Sequence, residues 1–220
     1  AEALLSLALM LTLRGTPFLY NGEEIGMTDM LLDDITDFMD LVGMWYYHLQ
    51  RDIFELPKKE AMQAAAMRGR DRCRTPVQWD NAPHGGFCPE DANPWLPVNP
   101  NYAEGVNVAA QEDDPDSMLN FYRRMIGMRQ DTPALVRGDY EALHEEAEDY
   151  FAFLRETDDQ ICLVVLNYAD EAHTLAFDLD AEAAEVVFSS RERNKTDDLS
   201  AVEIAPFEID RKSTRLNSSH

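Results

Sequence analysis

Gly15-Thr16-Pro17-Phe18-Leu19-Tyr20-Asn21-Gly22-Glu23-Glu24-Ile25-Gly26-Met27 is the stretch on which the fold turns. Before it, Ala3, Leu4, Leu5, Leu7, Ala8, Leu9, Met10, Leu11 and Leu13 form an apolar run of helix formers, which Gly15 ends at a C′-like position. Thr16–Tyr20 reads as a short buried strand, bounded by Gly and Pro on one side and by Asn21-Gly22 on the other. A helix feeding a tight turn and a short apolar strand is the αβ half of a βαβ unit. The acidic pair Glu23-Glu24 falls just past the strand's C-terminal end, where α/β enzymes gather functional side chains. The plainer reading is that the pair accepts hydrogen bonds from backbone donors of its own loop.

Further on, Asp33-Asp34 precedes Ile35, Phe38, Met39, Val42, Trp45, Tyr46 and Leu49, a helical spacing behind an acidic cap. A second helix is expected from about Lys58 to Met67. It leads into Gly69-Arg70-Asp71-Arg72-Cys73-Arg74-Thr75-Pro76-Val77-Gln78-Trp79-Asp80. Arg68, Arg70, Arg72 and Arg74 alternate there beside Asp71 and Asp80, which in so acidic a chain predicts internal ion pairing. Residues 85–108 are rich in Pro, Gly and Asn and read as a long irregular loop, a type that is usually functional. Pro115-Asp116-Ser117 then caps an amphipathic helix carrying Met118, Leu119, Phe121, Tyr122, Met125, Ile126 and Met128; a methionine stripe at this spacing is core filler. After Pro133 the period alternates: residues 150–154, 162–168, 174–179, 186–189 and 202–209 read as strands of an antiparallel β-sandwich.

Composition bounds the function. The chain carries a net charge of −23 and is 45% apolar. A field of that sign repels nucleic acid and anionic membrane, so neither is expected as a partner. The excess reflects either salt adaptation or a base-composition bias replacing Lys by Arg. The three cysteines, Cys73, Cys88 and Cys162, and the scattered histidines show no metal-ligand spacing, so no metal and no cofactor are expected. Free thiols and the absence of a signal-peptide pattern at Ala1-Glu2-Ala3 point to the cytoplasm. The apolar run is shorter than the roughly 20 residues that span a bilayer.

Residues 210–220, polar and basic, match the translation of a sequencing-library adapter and are set aside from the fold as non-native. Without their three basic and one acidic residues the charge moves from −23 to −25.

The stretches 15–27 and 69–80, in this order, resemble the last barrel strand and following loop of the α-amylase family of glycoside hydrolases, in its α-glucosidase and oligo-1,6-glucosidase branch. The resemblance implies the C-terminal part of a (β/α)8 TIM barrel over residues 1–131, then an antiparallel β-sandwich domain over 132–209. It implies a retaining α-glucosidase acting on short oligosaccharides, whose catalytic carboxylates lie before residue 1, so that this chain alone is inactive. Arg70 matches the arginine that closes the pocket for the nonreducing-end sugar, hydrogen-bonding a glucose hydroxyl and pairing with an aspartate from the first barrel loop. Asp71, Arg74 and Gln78 are expected to hold the loop's shape, and Pro76 and Trp79 to fix it against the barrel. Where related enzymes carry Arg-Asp, then a Glu soon after, this chain reads Met39-Asp40-Leu41-Val42, which leaves linkage preference open. Alternatives are a trehalose-handling relative, either a synthase or a phosphate-trehalose hydrolase, and a non-catalytic amylase-like ectodomain of an amino-acid transporter heavy chain.

Overall fold

The computed structural model describes residues 2–179, 183–190 and 196–215. Its contacts divide the chain into two compact units: residues 1–18 with 121–220, and residues 19–120.

In the first unit, α1 (Glu2–Thr12) is apolar nearly all round and buries Leu5, Leu7, Ala8 and Leu11. Ser6, Leu9, Met10 and Leu13, on its other side, line an open depression of about 430 Å³. Gly15 follows at φ 128°, the left-handed stop expected of it.

In the second unit, α2 is Leu41–His48, continued by one π turn over Leu49–Ile53, and α3 is Lys58–Arg68. Short α4 (Val108–Glu112) also belongs here, whereas α5 (Met118–Gln130) has all but its first three residues in the first unit. The α2–α3 pair is closely packed: a Cβ on Gly43 would meet Phe38 at 2.9 Å, and one on Gly69 would meet Gly43 Cα at 3.1 Å. Leu32, Phe38, Met62, Ala65, Ala66 and Leu96 form the core around this pair.

The sheet belongs to the first unit, with α6 (Pro133–Arg137) leading into it. Its strands are β1 (Asp139–Leu143), β2 (Tyr150–Thr157), β3 (Gln160–Asn167), β4 (His173–Leu175), β5 (Ala183–Ser189), β6 (Thr196–Asp198), β7 (Val202–Ile204) and β8 (Ile209–Arg215). They make a six-stranded antiparallel sheet, order β1-β2-β3-β8-β5-β6, and a ribbon of β4 and β7. Ala152, Leu154, Leu163 and Val165 face Leu175, Val202 and Ile204 of the ribbon, giving the core of the expected sandwich. α1 and α6 pack on β2 and β3 as well, so Phe153, Cys162, Val164 and Leu166, on the opposite side of the alternation, are also buried.

Three expectations change. Thr16–Tyr20 forms no ladder, and Phe18 is 84% exposed; a one-strand segment has no partner to pair with among the described residues. The helix expected to start behind Asp33-Asp34 begins at Leu41. Asp34 instead caps a 3-10 turn over Ile35–Asp37, and the extended backbone of Phe38 (ψ 135°) and Asp40 (ψ 117°) resets the phase. Gly43, Met44 and Tyr47 therefore face the core, while Val42 and Trp45 are exposed. Residues 210–215, set aside in the sequence, form most of β8, registered between β3 and β5. Strand pairing is made by main-chain groups, so a polar sequence can fill that slot. Residues 216–220 of the tail lie outside the described residues.

Candidate functional site

The arginine-rich loop lies in the second unit and starts where α3 stops. The Gly69 N–H donates to Ala65 O at 2.7 Å and ends the helix; Arg70 follows, and Asp71–Cys73 close one 3-10 turn. Asp71 is 3% exposed, a burial a carboxylate tolerates only when its lone pairs are filled. Its Oδ2 accepts from the backbone N–H groups of Met39 and Asp40, both at 2.8 Å. Asp40 returns the contact: Oδ2 accepts from Arg70 N at 2.7 Å, and Oδ1 accepts from Val42 N at 3.3 Å, capping α2. Two carboxylates thus bind the two backbones reciprocally.

The four arginines have different fates. Arg68 lies over the Tyr46 ring at 5.7 Å. Arg72 pairs with Asp29 at 3.2 Å, while its carbonyl accepts from Met30 N. Arg74 lies beside the Tyr20 phenol, which burial pushes above its usual range; Cys73 adds to that rise and Arg74 opposes it. Arg70 is exposed, and its guanidinium has no partner among the described residues, although its backbone is held at N by Asp40 and at O by Cys73 N and Sγ. The expected ion pairing of the cluster is therefore confined to Arg72; a ring and a phenol take two of the others.

Supports behind the loop are amides. Gln78, fully buried, donates to Asn101 Oδ1 and to Val106 O, both at 2.8 Å, and Asn99 donates to Thr28 O at 3.2 Å. Asn107 binds Asn81 Oδ1 and Tyr102 O, and its own Oδ1 caps α4. Asp71, Arg74 and Gln78 are thus found in holding positions. Pro76 is buried, but Trp79 is 51% exposed and takes part through its main chain, its N–H donating to Gly85 O and its carbonyl accepting from Ala109 N–H. The tryptophan that does pin the loop is Trp95, whose indole N–H donates to Arg74 O at 3.0 Å and whose ring meets Phe87 edge-on. Glu23 and Glu24 accept from Tyr20 N (3.2 Å) and Gly22 N (2.7 Å), the plainer of their two readings; Gly22, at φ 100°, makes the turn possible. No cluster of metal-ligating side chains occurs among the described residues.

Sequence reasoning missed the role of Asp40, noted there only as a departure from a related pattern. The available signal was an Asp directly before the first helical residue, an N-cap signature.

A loop held by side-chain-to-backbone bonds, with the Arg70 guanidinium unpaired among the described residues, thus lies on a helical scaffold that is followed in sequence by a β-sandwich. Residues 1–138 match the family described as alpha amylase, catalytic domain, and residues 140–209 match the maltogenic amylase C-terminal domain. The chain belongs to the α-amylase family. It is 40% identical over 156 residues to an oligo-1,6-glucosidase of Halalkalibacterium halodurans, covering 71% of this chain and 27% of that one. It is 38% identical over 193 residues to a glucan 1,6-alpha-glucosidase of Streptococcus dysgalactiae subsp. equisimilis, covering 86% and 34%. Among solved structures, a trehalulose synthase bound to Tris superposes with a TM-score of 0.82 at 31% identity, covering 96% of this chain and 38% of that one. The chain therefore spans about a third of the length of its relatives.

Proposed function

We propose that the protein carrying this chain is a retaining α-glucosidase that hydrolyses terminal α-glucosidic bonds of short oligosaccharides. The α-1,6 linkage is the one named in its curated relatives. The observation that carries the reading is the state of Arg70: fixed at its backbone, with its guanidinium unpaired among the described residues. A planar fork of donors can grip vicinal hydroxyls and a carboxylate together. In this reading Arg70 closes the pocket on the terminal glucose and pairs with an aspartate supplied from elsewhere in the barrel.

The reacting carboxylates of a retaining enzyme stand about 5–5.5 Å apart, one as nucleophile and one as acid/base. No such pair is assigned here: Glu23, Glu24, Asp40 and Asp71 are occupied by backbone N–H groups. The chain alone is thus inactive in this account. Preceding barrel elements would cover the open apolar face of α1. Residues 1–131 belong to the barrel and 132–209 to the sandwich, and no nucleic acid or membrane is engaged. No described helix is long and apolar enough to cross a membrane. A synthase reading, in which the sugar is moved to another hydroxyl rather than to water, has support from the trehalulose synthase likeness.

The test is turnover of isomaltose and maltose by the full-length protein, with the anomer of released glucose read by NMR. Release of α-glucose from isomaltose is expected. β-Glucose, or an isomeric disaccharide as the main product, overturns the proposal.

A further inference from the structure

We infer that Asp40 is a positioning residue for Arg70, an assignment that rests on the reading of Arg70 as the sugar contact. Its carboxylate does two separate jobs with two separate oxygens. Oδ1 caps α2 through Val42 N at 3.3 Å, and Oδ2 takes Arg70 N at 2.7 Å. The second bond bridges 30 residues of sequence and is the shorter of the two.

The surroundings leave the Asp40 carboxylate little alternative. Its own N–H and that of Met39 are held by Asp71 Oδ2, so the backbone beneath it is fixed. At the end of α3, a Cβ at Gly69 would come within 3.0 Å of Ala65 O and 3.5 Å of Asp40 Oδ2, so the chain entering Arg70 passes close against the carboxylate. Arg70 contributes no side-chain bond to this knot. Its hydrogen bonds are those of its backbone, and among the described residues Asp40 supplies the side-chain oxygen on its N–H. Misplacement of a substrate-gripping group by about 1 Å can cost 10²-fold in rate.

Capping and positioning can be separated by substitution. Ser caps a helix nearly as well as Asp, but its hydroxyl is too short to hold both Val42 N and Arg70 N. In the full-length enzyme, Asp40→Ser should keep the melting temperature near that of the parent. It should lower kcat/KM for isomaltose about tenfold, and Asp40→Ala should do so at least as strongly. On an Arg70→Ala background neither change should lower kcat/KM further, because the group being positioned is gone. Asp34→Ala, at the cap of the preceding turn, should leave kinetics unchanged. If Arg70→Ala is itself silent, the reading of Arg70 fails and this inference with it. If Arg70→Ala is costly but Asp40→Ser is silent, or its loss adds in full to that of Arg70→Ala, the positioning role alone is overturned.

Discussion

The two compact units are held together by opposite means. The first is knit by strand ladders and two apolar layers, with two arginines bound to main-chain carbonyls. Arg155, fully buried, donates to the carbonyls of Thr12, Gly138 and Asp139, and Arg129 donates to those of Leu11, Leu13 and Gly15. Between them they satisfy carbonyls at the end of α1 that no helical turn can reach. Burial pushes the Arg155 guanidinium down from its usual range, and neighbouring Arg129 adds to this. The second unit has short helices, a small core and a long loop without ladders, and Asp, Asn and Gln side chains bind its backbone. The contrast teaches where each property resides: stability in the ladders and core, and a freely offered arginine where side-chain-to-backbone bonds fix the chain.

The sharpest way to break this contrast is Arg155→Ala. It leaves three carbonyls short of a donor, two of them in buried bonds, and opens a void, so it should destabilise the first unit by about 3 kcal/mol or more. Urea unfolding followed by amide exchange should show the loss in residues 139–167 while residues 60–110 keep their protection. Equal loss in both would mean that the units are not separately stabilised. Next in size is Gly69→Ala, which forces a methyl against Ala65 O and Gly43 Cα. Overpacking of this kind costs about 1–3 kcal/mol, and here it should be felt in the second unit. A silent Gly69→Ala would show that α2 and α3 have slack the structure does not reveal.

How much of this was readable in advance differs between the units in the same way. β2 and β3 were legible as short runs rich in apolar residues between polar turns, and the structure shows why the runs are continuous: both faces are buried. The same reading could not find β8, whose residues 210–215 carry no apolar signal and take their place through main-chain pairing. In the second unit the helix over 58–68 was legible, and so was the arginine cluster. Which arginine stays unpaired was not, because that depends on Tyr46, Asp29 and Tyr20 arriving from distant positions. Asp40's partner lies 30 residues away, and no local pattern encodes it.

Smaller effects follow from charge. The ion pairs Arg14–Asp139, Lys58–Asp34 and Arg72–Asp29 are all at least one-third exposed and contribute little against a net charge of −23. Melting temperature should therefore rise by several degrees from dilute buffer to molar potassium chloride, as counter-ions screen over about 8–10 Å. A flat profile would favour the base-composition explanation of the acidic excess.

The smallest effect concerns Asp34, whose carboxyl is held below its ordinary 3.8 by the Thr36 N–H first and the Thr36 hydroxyl second. A depressed carboxylate contributes stability that is present above its unfolded value and lost as pH falls through the folded one. Thr36→Val should shift the Asp34 NMR titration upward. An unmoved titration would remove the hydroxyl from the account.

The central claim is that the loop spends three of its arginines on its own structure and offers Arg70 to the sugar. It is tested most directly by kcat/KM for isomaltose in the full-length enzyme, with Arg70→Ala and Arg72→Ala measured side by side. The account predicts a loss of about 10²-fold or more for Arg70→Ala, on the order of 3 kcal/mol. Arg70→Lys should recover little, because an ammonium cannot reproduce the fork. Arg72→Ala, losing only a partly exposed ion pair, should stay within a few-fold of the parent. Near-native activity in Arg70→Ala, with the loss falling on Arg72→Ala or Arg74→Ala, would contradict it.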